Sequence, residues 1–259
     1  MRQLVVLEKI YGPYRPEDFT PAFLSLLSGL AVSAKVVGTA GRGWLVLELS
    51  GEDEEVAARL LEEEIGLAPE EPSKLSKFSV VRGRILTPAS NGLLLDIGAF
   101  RPVNLDAFLS LDVLRSQLAD GLELSLEELS RLFCLLPNLP LEVKLVEDPS
   151  PPGPIGVELS EAQVRCLEEW VSSGLDRLVV VGASYHVVKR AISSSGLYDK
   201  VVEFYRLGLL EHCIILKLGV SPRMAIRMLR RRLKGAKICL FKPLDVLKAI
   251  PGRYERLSL

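Results

Sequence analysis

Histidine occurs only twice, as His186 and His212, and the four cysteines, Cys134, Cys166, Cys213 and Cys239, include no CxxC pair. That spacing fits neither a zinc ribbon nor a secreted disulfide framework. The thiols read instead as reduced and buried. His212 and Cys213 are neighbours on a strand-like run, where successive side chains point to opposite faces, so they do not share a metal. No metal and no cofactor is expected, and no catalytic residue stands out. Glycine-rich phosphate loops are missing as well, since neither GxGxxG nor GxxxxGK[ST] occurs. No apolar run approaches the ~20 residues that span a bilayer. Met1-Arg2 leads straight into a strand-like run without a signal-peptide layout. A cytoplasmic protein with no membrane partner is expected. Asparagine and glutamine are down to three each, a scarcity that fits work at high temperature.

The net charge of −1 hides two places that each lack one sign. From Glu48 to Pro72 there are ten acids and one base, Arg59, and from Tyr185 to Leu259 there are sixteen bases and five acids. Such asymmetry points to an anionic partner for the C-terminal part. The acidic stretch serves solubility or pairs with the basic one.

Periodicity divides the chain into three domains, 1–70, 76–148 and 157–259. In the first, LVVLEKIY (4–11), a helix over 16–28, AVSAKVVGTA (31–40), WLVLELS (44–50) and a helix ending at Gly66 give a ferredoxin-like βαββα unit. Ser50 and Asp53 form a capping-box signature before the second helix. Trp44, after Gly41-Arg42-Gly43, reads as a core residue, or with Arg42 as a nucleic-acid contact. In the second, two β-rich runs flank the turn Pro88-Ala89-Ser90-Asn91-Gly92. A helical insertion with a capping box at Ser125 and Glu128 precedes a closing strand, 141–148, compatible with a small OB-like barrel. DPSPPGPIG (148–156), with four prolines, is the clearest boundary. The third domain opens with a capping box at Ser160 and Gln163. It then alternates helices with buried strands, which predicts an α/β domain with a mostly parallel sheet.

Six of the twelve residues 223–234 are basic. Ser221 serves as N-cap, Pro222 as the first helical residue and Gly235 as the stop. Arg223, Arg227, Arg230, Arg231 and Lys234 fall on one side of a 3.6-residue period, opposite Met224, Met228, Leu229 and Leu233. Arg232 lies nearer the boundary. Like charges at this spacing repel, and no acid lies within the helix to relieve them. Phosphates would, because guanidinium matches their oxygens with paired donors. The plainer readings are a solvated face, or ion pairs with acids near Glu62-Glu63-Glu64. A second candidate is the turn Gly182-Ala183-Ser184 with Tyr185 and His186. Here a strand end meets a helix N-terminus, a place where anions bind, although one glycine also suits an ordinary turn. Asp96, set between apolar residues, reads as structural.

The segment VVRGRILTPASNGLLLDIGA (80–99) resembles S1-type RNA-binding domains: a first strand carrying Gly83, a turn, then glycine, three apolar residues, Asp96, an apolar residue and Gly98. S1 domains place a stacking aromatic near the second strand, where this chain has Leu93, Leu94 and Leu95. The whole chain resembles an uncharacterised archaeal protein family of this length, through GRGWLVLEL, GLLLDIGA with LRSQLADG, and W-x3-G-x-D-R-x-V-V-V-G (170–182) with LGLLEH and K-x-G (217–219). That resemblance implies domain order and an archaeal source, and supplies no catalytic residues. The expected partner is RNA, held by charge and shape. Arg223, Arg227, Arg230, Arg231, Lys234 and Lys217 would make the phosphate contacts, extended on the barrel by Arg82 and Arg84. Two alternatives stand beside it. One is an RNA-modifying or nucleotide-dependent enzyme with its site at Gly182, Ser184 and His186. The other is an interaction module pairing acidic and basic poles.

Overall fold

The computed structural model describes residues 1–150 and 153–254; Pro151 and Pro152 of the proline-rich boundary lie outside the described residues. The first domain contains β1 (Arg2–Lys9), α1 (Thr20–Leu26), β2 (Val32–Ala40), β3 (Trp44–Gly51) and α2 (Glu54–Glu64), with an antiparallel sheet in the order β1-β3-β2. The sheet is covered on both faces. Leu4, Val6, Leu47 and Leu49 pack under the two helices with Phe23, Ala57 and Leu61. Val5, Leu7 and Trp44 point the other way, with Ala68 and Phe100. The apolar run LVVL in β1 is the signature of this double burial. The capping box expected at Ser50 and Asp53 does not form. β3 runs on to Gly51 and keeps Ser50 paired with Ser33. Asp53, expected three residues into the helix, is itself the N-cap residue, and its carboxylate accepts from Ala31 N at 2.7 Å.

The second domain is a closed barrel of β4 (Val80–Ala89), β5 (Gly92–Ala99), β6 (Leu105–Ser110), β7 (Pro140–Leu145) and β8 (Ile155–Leu159), in the order β4-β5-β6-β8-β7. Its inward residues, among them Ile85, Leu93, Leu95, Leu109, Leu141 and Val157, fill one core. α3 (Leu111–Ala119) and α4 (Leu126–Phe133) lie between β6 and β7. At the β4–β5 turn Gly92 pairs with Ala89 across the two-residue loop Ser90-Asn91, and a Cβ on Gly92 would come within 2.3 Å of Leu109 O, so the glycine is required by space. The capping box at Ser125 forms: Ser125 Oγ accepts from Glu128 N at 3.2 Å, and Ser125 N donates to the Glu128 carboxylate at 2.8 Å.

The boundary expected at 148–156 falls inside this barrel. β8 pairs parallel with β6 and antiparallel with β7, and its alternating Ile155, Val157 and Leu159 complete the barrel interior. The proline-rich stretch therefore delivers a strand to the barrel before the next domain starts.

The third domain contains α5 (Glu161–Ser172), β9 (Arg177–Val181), α6 (Tyr185–Ser194), β10 (Val201–Arg206), β11 (Glu211–Leu216), α7 (Pro222–Arg230), β12 (Lys237–Phe241) and α8 (Pro243–Ala249). Its sheet has the order β10-β11-β9-β12, and all three pairings are antiparallel, which corrects the expected mostly parallel sheet. The α6 crossover does bring β10 round in the direction of β9. The short 207–210 hairpin then inserts β11 between them, so like-directed strands are separated. Ser160 Oγ caps α5 by accepting from Gln163 N at 3.0 Å, but the Gln163 side chain turns to Glu142 N on β7 rather than completing the box.

Every residue of β9 is buried. Leu178 and Val180, with Ile214 and Leu216, lie under α6 and α7. Val179 and Val181 face α5, Phe241 and the core shared with the barrel. No helix among the described residues is long and apolar enough to cross a membrane.

Candidate nucleic-acid interface

Ser221 Oγ caps α7 by accepting from Met224 N, and Pro222 occupies the first turn. Ala225, Leu229 and Leu233 are buried against the sheet, with Met228 half-buried beside them; Met224 is half-buried. The regular helix stops at Arg230, and residues 231–235 follow as turns to Gly235 at φ +85°. Arg223, Arg227, Arg230, Arg231 and Lys234 are all exposed. None of them forms an ion pair among the described residues, and neither do exposed Lys217, at the end of β11, and Lys237, at the start of β12. The acids Glu62, Glu63 and Glu64 are likewise exposed and pair with none of them. Arg232 is different: its guanidinium donates to Ser194 O at the end of α6.

α6 lies on the same face of the sheet as α7 and adds exposed Lys189 and Arg190. Beside it, at the edge strand β10, Tyr185 stacks on Phe204 with ring centroids 4.9 Å apart and planes 17° apart. The Arg206 guanidinium carbon lies 4.4 Å from the Tyr185 ring, and His186 meets that ring edge-on at 5.8 Å. Sequence reasoning passed over Phe204 and Arg206. The signal was their spacing of two on a strand, which puts an aromatic and a cation on one face.

The turn at Gly182 is already occupied by the chain's own groups. Gly182 N and Ala183 N both donate to Leu210 O, and Ser184 N donates to Tyr14 Oη at 3.0 Å. Those three amides are not open to a phosphate, while His186 is exposed. Behind the turn, His212 is fully buried and its Nε2 donates to Ala183 O at 2.9 Å. Burial pushes the imidazole down to about 4, so it is neutral at physiological pH.

Arg82 and Arg84 do not extend the cationic surface. Arg84 is 1% exposed and bonds Glu211 of β11 at 2.6 Å and Glu8 of β1. Arg82 donates to Leu207 O. The outer face of β4, which alternation alone assigns to solvent, is roofed by both flanking domains. Tyr11 Oη donates to Glu211, and Leu209 N donates to Glu8 at 3.1 Å.

The β5–β6 face is engaged in the same way. Asp96 accepts from Lys9 Nζ at 2.6 Å, Trp44 Nε1 at 3.1 Å and Gly98 N at 3.0 Å. Arg42 pairs with Asp106 at 2.5 Å. Asp96 is thus structural and Trp44 is a core residue, fully buried. Burial lowers the Lys9 pKa, against the pull of Asp96.

All four cysteines carry free thiols, and Cys134 interacts with Cys239 across the junction of the second and third domains. Among the described residues no group of three His, Cys, Asp or Glu side chains is placed to hold a metal ion.

These features define a three-domain protein with its barrel clamped between two α/β units and an unneutralised cationic face on the third. The chain belongs to the DUF2110 family: residues 3–71 match the DUF2110 N-terminal domain, 76–171 the DUF2110 central domain and 175–241 the DUF2110 C-terminal domain. No curated protein matches it. Among solved structures, the intact alpha subunit of aIF2 from Pyrococcus abyssi is similar at 11% identity over 65% of this chain and 97% of that chain. The TM-score of 0.24 is too low to support an argument from it.

Proposed function

We propose that the protein binds RNA through the phosphate backbone, with Arg223, Arg227, Arg230, Arg231 and Lys234 as the main contacts and Lys217, Lys189 and Arg190 around them. One observation carries this reading: the guanidinium row on α7 meets no carboxylate among the described residues, although exposed acids exist elsewhere on the chain. Like charges at helical spacing repel, and a polyanion relieves them while releasing its own counterions. We read the barrel as S1/OB-like and the first domain as a ferredoxin-like unit. Together they form a rigid mount, since the barrel surface around Asp96 and Arg84 is taken up by domain contacts.

Filter binding of RNA and DNA across a salt series tests this. The paired reversal Arg227→Glu with Arg230→Glu abolishes RNA retention and leaves thermal unfolding unchanged. Unchanged affinity in that variant overturns the proposal. An enzyme working at Gly182 to His186 finds the first three amides of the turn already bonded. Pairing of acidic and basic poles between copies predicts salt-sensitive self-association on a sizing column, without RNA retention.

A further inference from the structure

We propose that Arg206, Tyr185 and Phe204 form a seat for one unpaired base of a single-stranded RNA whose backbone crosses α6 and α7. This rests on the RNA reading above and specifies the strand state of the ligand.

Phe204 and Arg206 are two residues apart on β10 and project to the same side of the sheet as α6. Both contact the ring of Tyr185, at 4.9 Å and 4.4 Å. Lys189 Nζ lies 5.9 Å from the same ring. The aromatic pair is half-buried at an edge strand, and Arg206 is exposed. Glu203, the nearest acid on β10, is an odd number of residues away and faces the other side. Arg206 forms no ion pair among the described residues. A guanidinium set against an aromatic ring offers a planar surface with N–H donors at its rim. Unpaired bases stack on such planes, and the rim donors reach base edges or phosphates.

The seat is also pre-set. Buried His212 lies 5.4 Å from Phe204 and 6.1 Å from Tyr185, ring to ring, and is tied to Ala183 O. Tyr14 holds Ser184, the residue before Tyr185. A seat ordered before binding loses little freedom when a base arrives. A duplex keeps its bases stacked inside and gains nothing from it, whereas a single strand gains a stacking contact next to the cations of α6 and α7.

The test uses the full chain, a short single-stranded RNA carrying one fluorescent purine analogue, and a blunt duplex of the same sequence. With the wild-type protein the analogue's emission is quenched on binding. Arg206→Ala, a change at an exposed position, and Tyr185→Leu each weaken single-strand binding by about tenfold, remove the quench and leave duplex affinity unchanged. If Arg206→Ala leaves both quench and single-strand affinity at wild-type values while the α7 reversal still abolishes retention, the seat is wrong and the RNA reading survives. If the α7 reversal is also without effect, both fail.

Discussion

Arg84 Nη1 lies 2.6 Å from Glu211 Oε2, with the arginine on barrel strand β4, the glutamate on β11, and both side chains out of solvent. The second guanidinium nitrogen of Arg84 reaches Glu8 on β1. One planar cation thus spans carboxylates from both flanking domains, a task that suits arginine and not lysine. Arg84→Met leaves two buried carboxylates without their counter-charge, and the expected loss is about 3–5 kcal/mol in urea unfolding. Arg84→Lys recovers little of it, because a point donor cannot serve both carboxylates.

Acid sensitivity is expected from His212. Its folded pKa is about 4, against 6.5 in the unfolded chain. Below pH 6.5 the unfolded state takes up a proton that the native state refuses, so stability falls with pH and the loss is complete below about 4. The full effect is about 3 kcal/mol. Unfolding midpoints across that range follow this limb in the wild type, and the limb flattens in His212→Phe.

Under the RNA-binding proposal, the salt dependence of affinity separates the arginines of the 223–234 segment. Arg227→Ala, at an exposed position without an ion-pair partner among the described residues, reduces the slope of log affinity against log salt by about 0.7 for single-stranded RNA. Arg232→Ala changes it less, because that guanidinium is engaged with Ser194 O.

Thiol reactivity is expected to be uneven. A hydrogen bond from Cys134 lowers the pKa of half-buried Cys239, while Cys134 itself is raised by the same contact and by burial, and burial raises Cys213 and Cys166. Timed alkylation with peptide mapping modifies Cys239 first at mildly alkaline pH. Cys134→Ala slows that modification, since the donor is gone.

The α7 region was legible in the sequence because its signals are local. Ser221, Pro222 and Gly235 mark its ends, and the arginine spacing assigns its outer side. The antiparallel order of the third sheet was not legible, since helix–strand alternation looks the same whether or not β11 slips between β9 and β10. Arg82 and Arg84 misled for a related reason. Alternation along a strand separates the inside of a barrel from its outside, but whether another domain roofs the outside depends on Glu8 and Glu211, far away in the chain. The Tyr185–Phe204–Arg206 stack was hidden likewise, being assembled from a helix start and an edge strand.

Glu8 accepts from Leu209 N, 201 residues further along the chain, and Tyr14 accepts from Ser184 N, 170 residues away. During synthesis Glu8 is answered first by Arg84, 76 residues further on, and then waits for Leu209, which follows Glu8 by roughly 10–40 s at ordinary translation speeds. Until the third domain is made, Tyr11 and Tyr14 lack Glu211 and Ser184, the partners they hold in the finished structure, so the architecture locks from its last domain backwards.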